Sequence, residues 1–370
     1  MAKENTIGIV GGYGAIGLIV ADDLLKTTGY NLLIGGRNRE SLDEMAGRLG
    51  SRVSGMVVDV SDDASLERFC DGCFLVINST APSWELGDRV LRAALKSGAL
   101  YVDPGIYYDD SGTYHEKFTG RGLAAVLYAG WVPGITGILP RHLHNLYGKS
   151  FSRIDSLHTF CGDRSAWSPK ASVDILHHFI KGVESGFFEN GSWKARSFIH
   201  DLLDAKYYKY PEPLGRYVVS PVFSIEHKLL AEEVKPGKLG FFAGIFGFRT
   251  LLRLLMIRYL KMDDDRAVKI LREALRREAL QKGEGGALVA EMSGLSAGSH
   301  AKVKAYIYER NSVWLTGICT SVATKMLASG EIGVKGVHFL CDSVEPAAFL
   351  RHLEGYGVHL QIEDSGLKHA

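Results

Sequence analysis

The sequence is poor in cysteine and has no excess of one charge, and each shortage excludes a class of protein. Five cysteines (Cys70, Cys73, Cys161, Cys319 and Cys341) are odd in number and scattered over 370 residues. A disulfide-stapled scaffold is excluded, and a reducing compartment, the cytoplasm, is expected. Cys70 and Cys73 form a C-x-x-C, but no second pair or histidine cluster completes a zinc site, so packing is their expected role. The formal net charge is only +1, and with no RNA- or DNA-binding motif, nucleic acid is not an expected partner. Residues 239–262 are hydrophobic on nearly every side, and their longest uncharged run has ten residues (239–248). That is too short to cross a bilayer. The first strand starts near residue 6, so no signal peptide is expected.

What is present is a glycine turn between a strand and a helix. Residues 6–10 are apolar and partly β-branched, Gly12, Gly14 and Gly17 give the spacing G-x-G-x-x-G, and residues 16–25 read as a helix. The glycines allow a tight turn, close backbone approach to a pyrophosphate and close helix–strand packing. The diphosphate would sit on the helix N-terminus, so Gly12, Tyr13, Gly14, Ala15 and Ile16 are expected to hold it. The second strand, 30–34, leads into Gly35, Gly36, Arg37 and Asn38. An NAD site usually places an acid there for the ribose 2′-hydroxyl. Here the tip carries Arg37, which suits a 2′-phosphate. The reading is an NADP site with Gly36, Arg37 and Asn38 at its adenosine end.

Strands at 52–60, 74–78, 99–102 and 124–128 alternate with helices at 41–49, 62–70 and 84–97. This alternation predicts an α/β fold with a doubly wound parallel Rossmann sheet. Ligands bind at the carboxyl ends of such strands, which adds Asp59, Val60, Ser79, Thr80 and Ala81 to the cofactor residues. From about 141 the pattern changes. Residues 151–161 look like a strand, 171–183 helical, and 197–203 give no clear pattern. Runs at 287–292 and 301–308 alternate every second residue, as antiparallel strands with one wet face do. This part is expected to be an inserted α+β substrate domain with a mixed or antiparallel sheet. Residues 267–281 read as an amphipathic helix. Residues 239–262 read as a core helix or subunit interface, the sharper alternative being a wall for a greasy substrate or a membrane-surface contact. Helices at 318–328 and 346–354, with an extended piece at 337–340, complete the chain.

Several stretches resemble the saccharopine dehydrogenase and saccharopine reductase-like family: residues 11–17, 35–38, 92–103 (ending Tyr101-Val-Asp103), 129–135 (Ala129-Gly-Trp-Val-Pro-Gly-Ile135) and 325–336. The resemblance implies a nicotinamide-dependent oxidoreductase, of the kind that reduces an imine between an amino acid and a carbonyl compound. It also implies that residues 1–140 and about 315–350 form one Rossmann domain, interrupted by a substrate and dimerisation domain at 141–314 and followed by a tail at 351–370. The segment from Trp131 to Gly137 contains no carboxylate. The resemblance therefore supports fold and cofactor more than saccharopine as substrate.

Reducing an iminium removes a positive charge and needs little acid help, whereas reducing a carbonyl calls for a proton donor. No Ser-x-x-x-Lys or Tyr-x-x-x-Lys pair directly follows the fourth strand. Candidate donors are Asp103 and Tyr107 after the fifth strand, with Tyr108 and His115 behind them, and Asp163 or Arg164 on the substrate side. His177 and His178 are adjacent on a helix and do not share a face, which disfavours a metal. The sequence thus points to NADPH-dependent reduction of a C=N bond in a small metabolite or biosynthetic intermediate by a homodimer. The alternatives are a C=C or C=O reductase acting on a lipid or polyketide-like substrate, and a non-catalytic NADPH sensor or scaffold.

Overall fold

The computed structural model describes residues 3–105, 111–165, 167–177, 185–196, 206–244 and 248–367. In chain order its strands are β1 (Thr6–Val10), β2 (Asn31–Gly36), β3 (Val53–Val57), β4 (Leu75–Asn78), β5 (Leu100–Asp103), β6 (Ala124–Leu127), β7 (Arg153–Asp163) and β8 (Ser185–Glu189). They continue as β9 (Ser192–Arg196), β10 (Lys206–Lys209), β11 (Arg216–Val222), β12 (Lys238–Gly244), β13 (Gly286–Ser296), β14 (Ser299–Glu309), β15 (Gly336–Phe339) and β16 (Gln361–Ser365). The chain divides into two units, Met1–Gly134 with Val313–Glu345, and Ile135–Ser312 with Pro346–Ala370.

The first unit carries a seven-stranded sheet in the order β15-β6-β5-β4-β1-β2-β3, parallel throughout. Every residue of β1, β4 and β6 is buried, as expected where helices cover both faces of a parallel sheet. The chain order reverses between β1 and β4, which makes the carboxyl ends of these strands the crevice where such folds take ligands. The helix Ser312–Ser329 lies against the helix Ala15–Thr27. A Cβ on Gly317 would lie 2.5 Å from Ile19 Cγ2, and Lys325 Nζ donates to the buried Asp23 carboxylate at 2.9 Å. Cys70 and Cys73 are packing residues: burial pushes both thiols up to about 12, and a Cβ on Gly8 would meet Cys73 Sγ at 2.6 Å.

The second unit holds a nine-stranded mixed sheet with the main order β10-β11-β12-β7-β13-β14-β16 and β8–β9 alongside β12. β7 and β12 run parallel; their other neighbours are antiparallel. β13 and β14 form a hairpin closed by Ala297 and Gly298. Both turn residues have positive φ (48° and 78°), the requirement of a type I′ turn, whose twist matches that of the strands.

Some expectations change. Residues 351–370 are not a separate tail: β16 pairs with the outer edge of β14, and Pro346–Glu354 belongs to the same unit. The run 239–262 is not one helix. Its first part is β12, buried between β7 and β11, because glycines at 237, 240, 244 and 247 weaken helix formation while two strand edges supply backbone partners. The remainder forms the helix Phe248–Tyr259. The expected helix 84–97 is two, Ser83–Leu86 and Arg89–Ser97, separated at Gly87 with φ 56°. Of the expected helix 171–183, Pro169–Ile175 is a regular helix; residues 178–184, and the unclear stretch 197–203, lie outside the described residues. Among the described residues, no helix is long and apolar enough to cross a membrane.

Candidate cofactor site

The loop after β1 is tied down by its backbone. Gly11 N and Gly12 N both donate to Gly35 O, at 2.8 and 3.1 Å, and Gly14 N donates to Gly11 O at 2.8 Å. Gly11 has φ 80°, a left-handed conformation open to glycine without strain. Gly14 caps the helix Ala15–Thr27 with an extended backbone and contributes no side chain to the cap; the first turn has no acid. The first amides of this helix, at Ala15, Ile16 and Gly17, therefore retain the capacity of a helix N-terminus for an anion. Gly17 is fixed sterically: a Cβ there would lie 2.5 Å from Gly11 O and 2.8 Å from Gly12 Cα, both backbone atoms. Gly17→Ala is expected to cost about 1–3 kcal/mol through overpacking, measured as the loss of stability in thermal unfolding without coenzyme.

Tyr13 reaches across to the tip of β2. Its ring lies so close over Gly36 that an added Cβ would clash with Tyr13 Cε1. Its hydroxyl accepts from Arg37 N at 3.1 Å and Asn38 N at 3.3 Å. Asn38 caps the helix Arg39–Leu49 by accepting from Ser41 N at 2.9 Å. Arg37 is exposed, and no described carboxylate pairs with its guanidinium. Asp59 stands near it, but that carboxylate accepts from Ser61 N and Ser61 Oγ at 2.9 and 2.7 Å. These bonds, and to a lesser degree the Arg37 charge, hold the Asp59 carboxyl below its ordinary value. Val60, beside it, is half-buried. A small cavity of about 180 Å³ opens beside Tyr13, walled by Ser41, Glu44, Met45 and Arg48.

At the switch point, Ser79 N and Oγ both donate to Val10 O, at 2.9 and 2.8 Å. The Asn78 side chain joins two strand ends: its Oδ1 accepts from Thr80 Oγ1 at 2.6 Å, and its Nδ2 donates to Asp103 Oδ2 at 2.9 Å. Asp103 is buried. Besides Asn78 it accepts from Tyr101 OH at 2.5 Å and from Gly105 N at 2.6 Å. Ala81 follows, half-buried. Tyr107 and Tyr108 lie outside the described residues. His115 is on the helix Ser111–Gly120, its ring Nδ1 paired with Val337 O at 3.1 Å.

In the second unit, Asp163 ends β7. Burial raises its carboxyl against the opposing effect of Ser165 and Ser312, and Oδ1 accepts from Ser165 N at 2.7 Å. Arg164 is fully buried. It donates to Gly283 O, Lys282 O, Pro213 O, Leu214 O and Tyr217 OH at 2.6–3.2 Å. Another group was not foreseen: Thr136 Oγ1 donates to Glu226, both buried. A carboxylate thus reaches the segment that has none of its own. Beside it, His227 stacks on Phe241 with centroids 5.1 Å apart.

The residues expected to hold a cofactor, Gly12 to Ile16, Gly36 to Asn38, Asp59, Val60 and Ser79 to Ala81, all lie at or just beyond the carboxyl ends of β1 to β4 in one unit. Asp163 lies in the other unit. Sequence reasoning missed Gly11, the fixed reach of Tyr13, Asn78, Tyr101 and the pair Thr136–Glu226. The double glycine at 11–12 was a usable signal for the first of these; nothing local marks the last.

Residues 7–126 match the family described as the saccharopine dehydrogenase NADP binding domain. The chain is 29% identical over 211 residues, 52% of its length, to carboxyaminopropylagmatine dehydrogenase of Synechocystis sp., and spans about half (50%) of that relative. In structure it is similar to apo saccharopine dehydrogenase (L-Glu forming) of Saccharomyces cerevisiae, with a TM-score of 0.73 over 98% of this chain and 100% of that one, at 14% identity. That likeness shows the fold. Over residues 7–126 the chain is thus similar to the saccharopine dehydrogenase NADP binding domain, and over its whole length it shares the fold of the yeast saccharopine dehydrogenase.

Proposed function

We propose that the protein is an NADPH-dependent oxidoreductase that reduces a C=N bond in a small metabolite. The observation that carries the coenzyme is Arg37: an exposed guanidinium at the tip of β2, without an ion-pair partner among the described residues, where an NAD enzyme carries an acid. NADPH, when bound, supplies the hydride. The amides at Gly12 to Ile16 would hold the diphosphate, Arg37 the 2′-phosphate, and Tyr13 and Asn38 would fix the backbone of that tip. Asp59 and Val60 would border the adenine, and Ser79, Thr80 and Ala81 the nicotinamide half.

The choice of C=N over C=O rests on Asp103. Its carboxylate is occupied by Asn78, Tyr101 and Gly105, which makes it a positioning group for the ends of β4 and β5 rather than a proton donor. An iminium acceptor needs no such donor, because hydride addition neutralises its charge. Tyr107 and Asp163 remain the residues through which a donor would act. The similar protein named carboxyaminopropylagmatine dehydrogenase supports the redox reading.

Titration by nicotinamide fluorescence tests the coenzyme. NADPH is expected to bind roughly 10- to 100-fold more tightly than NADH, the range of a charge-assisted pair, and Arg37→Ala to bring the two within about threefold. Equal binding of both coenzymes by the unaltered protein overturns the assignment.

A further inference from the structure

We propose that the helix Phe248–Tyr259, with Leu260 and Lys261 after it, docks on an anionic lipid surface. This surface role is separate from the oxidoreductase reading and does not depend on it. One side of the helix faces the protein: Leu254 and Ile257 are buried in a cluster with Trp167, Ala267, Leu271 and Leu275. Elsewhere on the helix, apolar side chains are left in water. Leu252 is 51% exposed, Met256 39%, Tyr259 60% and Leu260 64%. Their spacing of i, i+4, i+7 and i+8 places them in one stripe along the helix, where a solvated helix would carry charge.

The charge within this stretch of sequence has one sign, and the cavity lined by Arg253 and Met256 carries Lys269, Arg272, Arg276 and Arg277 against Asp265 and Glu273, a net positive border. From 239 to 262 the sequence has four cations, Arg249, Arg253, Arg258 and Lys261, and no Asp or Glu. The acids that follow serve the next helix: Asp263 caps it by accepting from Arg266 N at 2.9 Å, and Asp264 pairs with His177 at 2.9 Å. An apolar stripe carrying an aromatic ring and bordered by Arg and Lys is the pattern of a helix lying in a membrane interface. Twelve residues suffice to lie on a bilayer and not to span it.

A second copy of the chain fits this face less well. A two-fold contact would bring the same net positive border from both copies to one interface. Four part-exposed side chains also offer only a few hundred Å², roughly half of the 800 Å² per partner in a stable interface. Anionic headgroups complement the cations, and a bilayer needs no shaped partner for the stripe.

The test uses the full chain with vesicles of phosphatidylcholine alone and with about 30 mol% phosphatidylglycerol. At low salt, partitioning onto the anionic vesicles is expected to be at least about tenfold stronger, and to fall as salt is added. The pair Leu252→Ser and Leu260→Ser should lower it about tenfold or more. The pair Arg253→Glu and Lys261→Glu should erase the preference for anionic lipid. The altered side chains lie at the surface, and an unchanged circular-dichroism melt verifies that the variants fold. No partitioning, equal partitioning onto both vesicles, or partitioning unaffected by either pair overturns the proposal. A dimer in sedimentation that the two serines dissolve also overturns it, and assigns the face to a second copy.

Discussion

Arg164→Leu is expected to destabilise the protein by roughly 3–5 kcal/mol, the range found when one member of a buried polar assembly is removed. The guanidinium is fully buried and has no described carboxylate partner. Instead it is compensated by four backbone carbonyls and the Tyr217 hydroxyl. Two of the carbonyls, Lys282 O and Gly283 O, stand at the C-terminus of the helix Asp264–Lys282, where the partial charge is negative and favours a cation. Leucine would leave these acceptors buried without a donor, each at a cost of about 1–3 kcal/mol that does not simply add. Lysine would keep the charge but lacks the planar fork that meets five acceptors. Urea unfolding gives the measurement, with Tyr217→Phe as the comparison, expected to cost only about 1 kcal/mol. A leucine variant within about 1 kcal/mol of the parent would contradict this account.

His227→Phe is expected to flatten the acid side of the stability curve. Burial, then the charges of Arg141 and His158, bring the imidazole from an ordinary value of 6.5 down to about 3. The folded protein therefore keeps His227 neutral where the unfolded chain protonates it. The sign follows from that difference. The contribution is complete above about pH 6.5 and is lost as pH falls toward 3, by about 1.4 kcal/mol per unit. Phenylalanine does not titrate and can keep the stacking on Phe241, losing only the 3.1 Å contact of Nδ1 with Ser224 Oγ. Unfolding free energies at pH 7, 5.5 and 4.5 should diverge, the parent falling below the variant's slope. Parallel curves would show that another group governs acid lability.

The first unit was legible because its signals are local. An apolar strand, a glycine turn and an amphipathic helix each lie within about fifteen residues, and the parallel, doubly wound sheet follows from their alternation. Arg37 was readable for the same reason, since its place at the tip of β2 depends only on the strand before it. The second unit was less legible because its pairings are distant in sequence. Residues 239–244 read as part of an apolar helix and become β12 because their glycines weaken a helix and β7 and β11 offer open edges. Asp103 illustrates a different limit. Its position at a strand end was predictable, but its three partners come from Asn78, Tyr101 and Gly105, so its use as a tie between strands is a tertiary fact. Thr136 and Glu226 are ninety residues apart, and no periodicity connects them.

The parallel pairing of β15 with β6 has a consequence for biosynthesis. More than two hundred residues separate the two strands, so on the ribosome β6 emerges long before its neighbour. Until then its backbone presents an open hydrogen-bonding edge, the kind of surface that recruits strands from other chains. The nucleotide half thus cannot close its sheet in the order in which it is translated. A nascent chain arrested before residue 336 is expected to aggregate more readily than the finished one.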